Sequence, residues 1–281
     1  YDITVRAAAD GFAADHLLKD VKAGDKFTAS VPQGTFYYEP LRDPKCVIGL
    51  AGGSGITPFL SMARAIEEGI EDFDLTIIFG SRTEEQILFK DELDAIAAEC
   101  GKVHVVHVLS DEEKEGYEHG FITAELVGKY IDGDTAVFAC GPAAMYSFLE
   151  KELPKLGMPQ GRIRLELQSA SKDIASDPGF PKEAAGKTFD LTVRQGANEW
   201  KITAASEEPV LVALERAGIT APSRCRGGEC GWCRSKVISG EYFAPATNEH
   251  RRWADKKHGY IHPCVTFPVS DMVIEVPGEY L

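Results

Sequence analysis

Four cysteines have a spacing that is typical of an iron–sulfur site. Four residues separate Cys225 from Cys230, two separate Cys230 from Cys233, and Cys264 follows much later in the chain. This is the plant-type [2Fe–2S] arrangement, in which four thiolates hold two irons. Glycines within the same loop let the backbone wrap closely around such a cluster, because they lack a Cβ atom. The pattern therefore predicts a [2Fe–2S] cluster on these four residues.

Two other uses of the cysteines fit the spacing less well. A zinc site also accepts four cysteines, but it is usually built from two short paired spacings rather than from a triplet and a remote fourth residue. A thiol–disulfide pair would use Cys230 and Cys233 and would leave Cys225 and Cys264 unexplained. The iron–sulfur interpretation accounts for all four residues.

A glycine-rich segment upstream is a second candidate site. The stretch from Leu50 to Met62 reads LAGGSGITPFLSM, which predicts a strand, a glycine loop and the start of a helix. That geometry directs helical N-terminal amides at an anion such as a pyrophosphate. The segment ACGPAAM, residues 139–145, lies at the end of another predicted strand, at the sheet edge where ligands bind in such folds. The candidate contacts in the first segment are Gly52, Gly53, Ser54, Gly55, Thr57 and Pro58.

The surrounding segments must position these residues. Residues 43–168 alternate apolar strands with amphipathic helices, which predicts a doubly wound parallel sheet in a nucleotide-binding α/β domain. Residues 1–42 alternate in a strand-like way and predict the last part of an antiparallel β domain, too short to close a barrel alone. Residues 169–187 are polar and rich in proline, glycine and alanine, which predicts a linker. Residues 188–281 predict a small α+β domain around the cysteines.

The two motifs together resemble those of one known family. GGSGITP with a later CGP is similar to the NAD(P) domain of the ferredoxin–NADP reductase superfamily, and residues 189–281 resemble a plant-type ferredoxin domain with a β-grasp fold. The domain order is similar to that of the phthalate dioxygenase reductase type. The resemblance implies that the nicotinamide is bordered by Cys140, in the catalytic position, Gly141 and Pro142. It also implies that the cluster is ligated by Cys225, Cys230, Cys233 and Cys264.

The loop after one predicted strand indicates which nicotinamide cofactor binds. NADPH-specific relatives carry serine–arginine there for the 2′-phosphate, whereas this chain has Ser110 followed by Asp111. An acidic side chain repels a doubly charged phosphate and accepts a hydrogen bond from a ribose hydroxyl. The sequence therefore predicts NADH. Ser81 and Arg82, which are candidate adenosine contacts, keep NADPH as the less favoured alternative.

Residues 1–42 resemble the last strands of the flavin-binding barrel of the same superfamily. The resemblance assigns the flavin pyrophosphate to Gly11 and to Ala14, which stands where the family has a serine. The family's arginine-x-tyrosine-serine signature would precede Tyr1, so the sequence predicts an incomplete flavin site and a trimmed or processed start. The segment GFAADHL, residues 11–17, favours FAD, with FMN as the alternative.

Composition narrows the class of partner. The 44 acidic residues outnumber the 30 lysines and arginines, which disfavours a nucleic-acid surface and leaves room for a basic protein partner. No apolar run approaches the length of a membrane span. Seven cysteines, four of them spaced for a metal centre, indicate a reducing, cytoplasmic setting.

The chemistry of the two sites requires a third. Nicotinamide delivers two electrons as hydride, whereas a [2Fe–2S] centre accepts one at a time, so a flavin is needed between them. We therefore expect an NADH-dependent flavin iron–sulfur oxidoreductase that supplies a redox partner protein, such as an oxygenase or another reductive enzyme. The alternative is an electron-transfer subunit of a larger complex, which borrows its flavin and does not oxidise NADH independently.

Overall fold

The computed structural model describes residues 2–7, 12–29, 34–166 and 173–278. The chain divides into two units, residues 1–166 and residues 167–281. The first unit contains the glycine-rich motifs, and the second contains the four predicted cluster cysteines. Among the described residues, no helix combines the length and the apolar character that a bilayer crossing needs.

The first residues of the chain contain one short helix. Helix α1 spans Phe12–Lys19, and an ion pair between Asp15 and Lys19 supports it one turn apart. Residues 2–7 and 12–29 form no strand. A strand needs a neighbour to bond its backbone N–H and C=O groups, and none of the described strands pairs with these residues. The flavin-barrel part of the prediction therefore stays a prediction.

A six-stranded sheet forms the framework of the first unit. Its strands are β1 (Cys46–Gly52), β2 (Asp74–Ser81), β3 (Val103–Leu109), β4 (Glu118–His119), β5 (Thr135–Cys140) and β6 (Ile163–Leu165). The order across the sheet is β4-β3-β2-β1-β5-β6, and every neighbouring pair is parallel. The predicted parallel sheet of a nucleotide-binding domain is confirmed.

Helices cover both faces of this sheet, which explains why its strands are so apolar. They are α2 (Thr57–Glu67), α3 (Lys90–Glu99), α4 (Ala124–Gly128) and α5 (Ala143–Glu152). Successive side chains of a strand point to opposite faces. Accordingly, Val47 packs in a core with α2 and α3, whereas Ile48 packs in a second core with α4 and α5. The strand order reverses between β1 and β5, and such a reversal opens a binding crevice at the carboxyl ends of the strands.

Residues 34–45 pack against the sheet of the first unit. Phe36 packs near Phe59 and Phe138, with ring centroids 5.8 and 5.5 Å away. The buried carboxylate of Asp43 accepts a 2.5 Å hydrogen bond from Arg164 on β6. Burial opposes ionisation of Asp43, but hydrogen bonds from neighbouring guanidinium groups outweigh it and hold its pKa below the usual value. An aromatic contact and a buried ion pair thus fix this segment.

The second unit is built around a mixed sheet. In chain order its elements are β7 (Thr188–Gln195), β8 (Asn198–Ala205), α6 (Val210–Arg216), β9 (Ser235–Ser239), β10 (Tyr242–Phe243), α7 (Trp253–Lys257), β11 (Tyr260–Ile261), β12 (Phe267–Pro268) and β13 (Met272–Glu275). Five strands form one sheet in the order β11-β9-β13-β7-β8, and β10 pairs with β12. Helix α6 covers one side through Val210 and Leu214, which belong to the core of this unit.

The segment predicted as a linker contributes apolar side chains to the second unit. Within residues 173–187, Ile174, Phe180 and Ala184 are buried in one cluster with Phe267 of β12. Phe180 also meets Phe243 edge-on, with ring centroids 5.4 Å apart. This polar, glycine-rich stretch therefore carries its own anchors, while the predicted boundaries of the linker and of the domains stay predictions.

Candidate functional site

The predicted nucleotide loop connects the end of β1 to the start of α2. A 3-10 turn spans Gly53–Ile56, and Gly53 has a φ of 53°, in the left-handed region that favours glycine. Thr57 is the first residue of α2, and its hydroxyl donates to the Ser54 carbonyl at 3.1 Å rather than capping the helix. Pro58 lies in the first helical turn, where its missing N–H costs nothing. The loop therefore leads directly into a helix N-terminus.

The register of the sheet brings the second glycine motif against this loop. Ala51 of β1 pairs with Cys140 of β5, so the two strands end side by side. A Cβ atom added at Gly55 would lie 2.1 Å from the Cys140 carbonyl oxygen, and one at Gly52 would lie 2.7 Å from Sδ of Met145. Real side chains essentially never approach the backbone so closely, so only glycine fits at position 55, whereas a side chain at position 52 would require Met145 to move. The residues GGSGITP and CGP form one corner at the carboxyl edge of the sheet.

The CGP segment has a partner that sequence reasoning missed. The Gly141 N–H donates to the hydroxyl of Tyr146 at 3.2 Å, and that hydroxyl donates to the Glu166 carbonyl at 2.7 Å. Burial raises the pKa of the Cys140 thiol to about 11, so this sulfur stays protonated at neutral pH. Pro142, which is exposed, precedes the first turn of α5. In the sequence, Tyr146 could have been identified by its position one helical turn after Pro142, which puts it on the side of the helix that faces the corner.

The candidate adenosine contacts meet at the ends of β2 and β3. The Ser110 N–H donates to the Ser81 carbonyl at 3.0 Å, and the Asp111 N–H donates to the Arg82 carbonyl at 2.9 Å. The Ser81 hydroxyl is buried and finds no partner among the described residues. Arg82 and Asp111 are both exposed. The structure thus brings together all the residues predicted to select the nucleotide, and it leaves a buried hydroxyl unsatisfied beside them.

The predicted flavin contacts are only partly described. Gly11 lies outside the described residues, and Ala14 is a half-buried residue of α1. A further cation near the nucleotide loop comes from the same part of the chain: Nη1 of Arg6 lies 3.4 Å from the position of a Cβ at Gly53. No sequence motif marked Arg6, because its neighbour lies far along the chain. The flavin contacts therefore stay predictions.

The four predicted cluster ligands all lie in the second unit, as two pairs. Cys225 and Cys230 are exposed, whereas Cys233 and Cys264 are buried with their sulfurs 3.4 Å apart. The Cys230 N–H donates to the Cys225 sulfur at 3.4 Å, and the Trp232 N–H donates to the Cys230 sulfur at 3.4 Å. None of the four is in a disulfide. The loop therefore presents free thiols together with backbone donors aimed at sulfur.

Special backbone positions shape the cysteine loop, residues 222–234. The loop contains no helix or strand. Gly228 has a φ of 86°, and a Cβ there would lie 2.7 Å from a methyl of Val265 and 2.8 Å from the Asn248 carbonyl. Nδ1 of the buried His262 donates to the Gly228 carbonyl. Glycine is thus required where the loop bends back onto the Cys264 segment.

Hydrogen bonding between two buried thiols separates their acidities. The contact with Cys264 lowers the pKa of Cys233, because it stabilises the Cys233 thiolate. The same contact, reinforced by burial, raises the pKa of Cys264. Burial also raises the pKa of Cys230. A metal that binds all four sulfurs must displace these protons.

The donor set fits a two-iron cluster. A [2Fe–2S] cluster needs four thiolates, which are divided between its two irons. Paired sulfurs, sulfur-directed amides and a loop that excludes side chains at Gly228 meet that requirement.

Family models match both units. Residues 50–151 match the oxidoreductase NAD-binding domain, and residues 194–269 match the 2Fe-2S iron-sulfur cluster binding domain. These matches coincide with the glycine corner of the first unit and with the cysteines of the second. The chain is therefore an oxidoreductase with a nicotinamide-binding domain and an iron–sulfur domain.

Several relatives are similar along nearly the whole chain. The NADH oxidoreductase HCR of Escherichia coli (strain K12) is 30% identical over 273 residues, which are 97% of this chain and 78% of the relative. The phthalate 4,5-dioxygenase oxygenase reductase subunit of Pseudomonas putida is 28% identical and covers 98% of this chain and 77% of the relative. The solved phthalate dioxygenase reductase, a modular structure for electron transfer from pyridine nucleotides to [2Fe–2S], is 26% identical with a TM-score of 0.56. It covers 88% of this chain and 70% of its own. Both the sequence and the fold thus show that this chain belongs to the phthalate dioxygenase reductase-like branch of the ferredoxin–NADP reductase superfamily.

Proposed function

We propose that this chain takes hydride from NADH at the glycine corner and releases single electrons to a partner protein from the cysteine loop. The observation that carries the proposal is the presence, in one chain, of a corner built from GGSGITP and CGP and of four free thiols, three in the cysteine loop and one at Cys264. When bound, a flavin would split a two-electron donation into single electrons, and a [2Fe–2S] cluster would carry one electron at a time.

Protein groups at the glycine corner bind and orient the nucleotide in this proposal. The amides at the start of α2 receive the pyrophosphate, and Arg6 beside Gly53 adds a positive charge. Cys140 keeps its proton on Sγ and borders the nicotinamide as a neutral group. Tyr146 fixes the Gly141 amide, so that the corner keeps its shape when the ring binds. The corner therefore acts by positioning rather than by proton transfer.

The nucleotide that this chain prefers is NADH in our proposal. Asp111 is exposed next to Arg82 and is oriented by a 2.6 Å hydrogen bond from the Ser110 hydroxyl. A carboxylate held there accepts a hydrogen bond from the 2′-hydroxyl of the adenosine ribose and repels a 2′-phosphate. Asp111→Ser is expected to narrow the difference in kcat/KM between NADH and NADPH. An unchanged ratio in that variant contradicts the role of Asp111.

The domain plan is proposed at a finer level from the sequence patterns. Residues 1–42 end a flavin-binding barrel, residues 43–168 bind the nucleotide, and residues 169–187 link them to a β-grasp domain at residues 188–281. The mixed sheet with α6 across it supports the β-grasp assignment. We assign FAD as the flavin, with FMN as the alternative, and chromatography of the flavin released by denaturing the purified protein distinguishes the two.

An oxygenase component is the proposed class of electron acceptor. Support comes from the relative of Pseudomonas putida, which is named as the reductase subunit of a phthalate dioxygenase. All seven cysteines are free thiols, which supports a reducing compartment such as the cytoplasm.

The test separates this proposal from a relay subunit that does not oxidise NADH. The full-length protein is given NADH with ferricyanide or with cytochrome c as acceptor, and Cys230→Ala is compared with Cys100→Ala, which changes a cysteine outside the loop. We expect Cys230→Ala to keep ferricyanide reduction and to lose cytochrome c reduction, while Cys100→Ala keeps both. If the unmodified protein does not oxidise NADH with either acceptor, the proposal is wrong and the chain is an electron-transfer subunit that does not oxidise NADH independently.

A further inference from the structure

We propose that the exposed arginines around the cysteine loop form a docking surface for an acidic face of the electron-accepting protein. This rests on the proposed function, in which electrons leave through the cysteine loop. The surface, called here the cysteine rim, consists of Arg224, Cys225, Arg226, Cys230 and Trp232. Its charge is opposite in sign to that of the chain as a whole, which carries 44 acidic against 30 basic residues.

The rim lies where the thiols reach solvent. Cys225 and Cys230 are exposed, whereas Cys233 and Cys264 are buried in the unit. A protein acceptor must approach the exposed pair, because the buried pair is covered by Leu211 and Val265. The residues that flank the exposed cysteines in sequence are therefore the first to meet a partner.

Arg224 presents a positive charge at this position. Its guanidinium lies over the Trp232 ring, 3.4 Å from the centroid, and it forms no ion pair with the described residues. Stacking on an indole orients a guanidinium and leaves its in-plane N–H donors available. Arg226 differs, because it turns back through a φ of 55° to pair with Glu215. Arg224 is thus the cation of the rim that is left to bind a partner's carboxylate.

The charge around the loop continues into α7. Residues 224–257 contain eight lysines and arginines against four acids, whereas residues 1–166 contain 16 against 29. Arg234, which follows Cys233, bonds the buried Asp255 of α7 at 2.5 Å and so ties that helix to the loop. Helix α7 begins at Trp253, which is 72% exposed, and the side chain of the preceding Arg252 is 81% exposed. Exposed tryptophan and arginine are the residue types that dominate binding energy in protein interfaces.

One acid interrupts the rim and limits its charge. Glu229 precedes Cys230 and is exposed, so the loop itself carries three arginines and one glutamate. The net charge of the loop stays positive. An acidic partner is therefore attracted within about 10 Å, the screening length at 0.1 M salt.

The experiment uses one haem protein in two charge states. Cytochrome c has lysines on its surface, and succinylation replaces them with carboxylates while the haem stays the same. The full chain, loaded with its cofactors, reduces each form with NADH, first at 0.1 M ionic strength and then at higher salt concentrations. We expect the rate with succinylated cytochrome c to fall as salt is raised, and Arg224→Glu to lower kcat/KM for this acceptor about tenfold. The uncharged acceptor benzoquinone should be reduced at the same rate by the variant and the unmodified protein.

Lys201→Glu is the matched control, because it makes the same change of charge on exposed β8, at the opposite edge of the sheet from β11. Where Arg224→Glu lowers the visible absorbance of the cluster, Arg252→Glu replaces it, with an effect in the same direction expected. The docking surface is refuted if Arg224→Glu and Lys201→Glu lower kcat/KM for succinylated cytochrome c equally, or if the unmodified protein prefers native cytochrome c. Either result leaves the proposed function standing. Reduction of benzoquinone but of neither cytochrome overturns the proposed electron exit and the surface with it.

Discussion

The two loops that carry the chemistry of this chain are supported in different ways. The nucleotide loop follows directly from a strand of the parallel sheet. The pairing of Ala51 with Cys140 places the CGP segment beside it. The cysteine loop contains no helix or strand, and it is held by side-chain and backbone contacts such as that between His262 and Gly228. Both loops exclude side chains at particular glycines. Only the first is fixed by the pairing of neighbouring strands.

The difference indicates where ligand binding contributes to folding. A loop fixed by sheet hydrogen bonds keeps its shape when the nucleotide leaves. A loop whose thiols lie side by side relies on the bound metal, and the free energy of metal binding then becomes folding free energy. We therefore expect loss of the nucleotide to leave the first unit unchanged, and loss of iron to loosen the second unit.

The largest expected effect comes from removing a buried ligand. Cys233→Ser is expected to abolish the visible absorbance of the cluster and to reduce electron transfer to cytochrome c to background. It should also expose the arginines of the cysteine loop to trypsin, because no helix or strand holds the loop in place, while residues 1–166 resist cleavage. Absorbance spectra and a timed digestion followed by mass spectrometry measure both. A variant whose loop stays as resistant as the unmodified protein contradicts the comparison between the loops.

A clash at the glycine corner is expected to have the next largest effect. Gly55→Val puts a side chain where even a Cβ lies 2.1 Å from the Cys140 carbonyl, so the two motifs must separate. We expect KM for NADH to rise on the order of 100-fold, as for other displacements of about 1 Å in a binding site. Gly101→Val is the control, because no heavy atom lies within 4 Å of its Cβ position. An unchanged KM, with both variants folded by circular dichroism, refutes the contact.

A smaller effect separates backbone strain from crowding in the cysteine loop. Gly228 and Gly116 both have a φ of 86°, but only Gly228 has atoms closer than 3 Å to its Cβ position. Alanine at either site should lower the free energy of unfolding by about 1 kcal/mol, because the left-handed region disfavours side chains. Gly228→Ala should in addition lose iron several-fold faster to a chelator, since its Cβ pushes against Val265. Equal rates of iron loss in the two variants show that crowding has no role.

The smallest effect is expected at Cys140, and it contrasts this thiol with the cluster thiols. Burial raises its pKa to about 11, so the group stays neutral as pH rises from 6 to 9 and begins to ionise only as pH approaches the folded value. The pH profile of NADH–ferricyanide activity over that range should therefore have the same shape in Cys140→Ser as in the unmodified protein, whatever the change in rate. A step near neutral pH that disappears in the variant shows that the thiol titrates there.

Local patterns predicted most of the two sites because their residues are close in the chain. The triplet Cys225, Cys230 and Cys233 and the strand–loop–helix at GGSGITP are each contained in one short segment. Contacts between distant residues were not predicted, because they depend on strand register and on how loops pack. Examples are the hydroxyl of Tyr146 on the Glu166 carbonyl and the guanidinium of Arg6 beside Gly53.

The predicted strands near the start of the chain show where a local sequence pattern is not sufficient. Residues 2–7 alternate in polarity as a half-buried strand does, yet they form no strand among the described residues. Alternation shows which face of a strand would be buried, but a strand also needs a neighbour to complete its hydrogen bonds. Helix α1 forms without such help, because its hydrogen bonds are internal.

The close contact between Gly55 and Cys140 has a consequence for protein engineering. Because the two motifs leave no space for a Cβ between them, neither motif can be transferred to another protein by itself. Grafting GGSGITP into another parallel sheet would require the CGP strand to be transplanted beside it in the same register. A library that randomises this region should vary both segments together and keep Gly52, Gly55 and Gly141 constant. Its substitutions are better placed at the exposed Pro142 and Arg82.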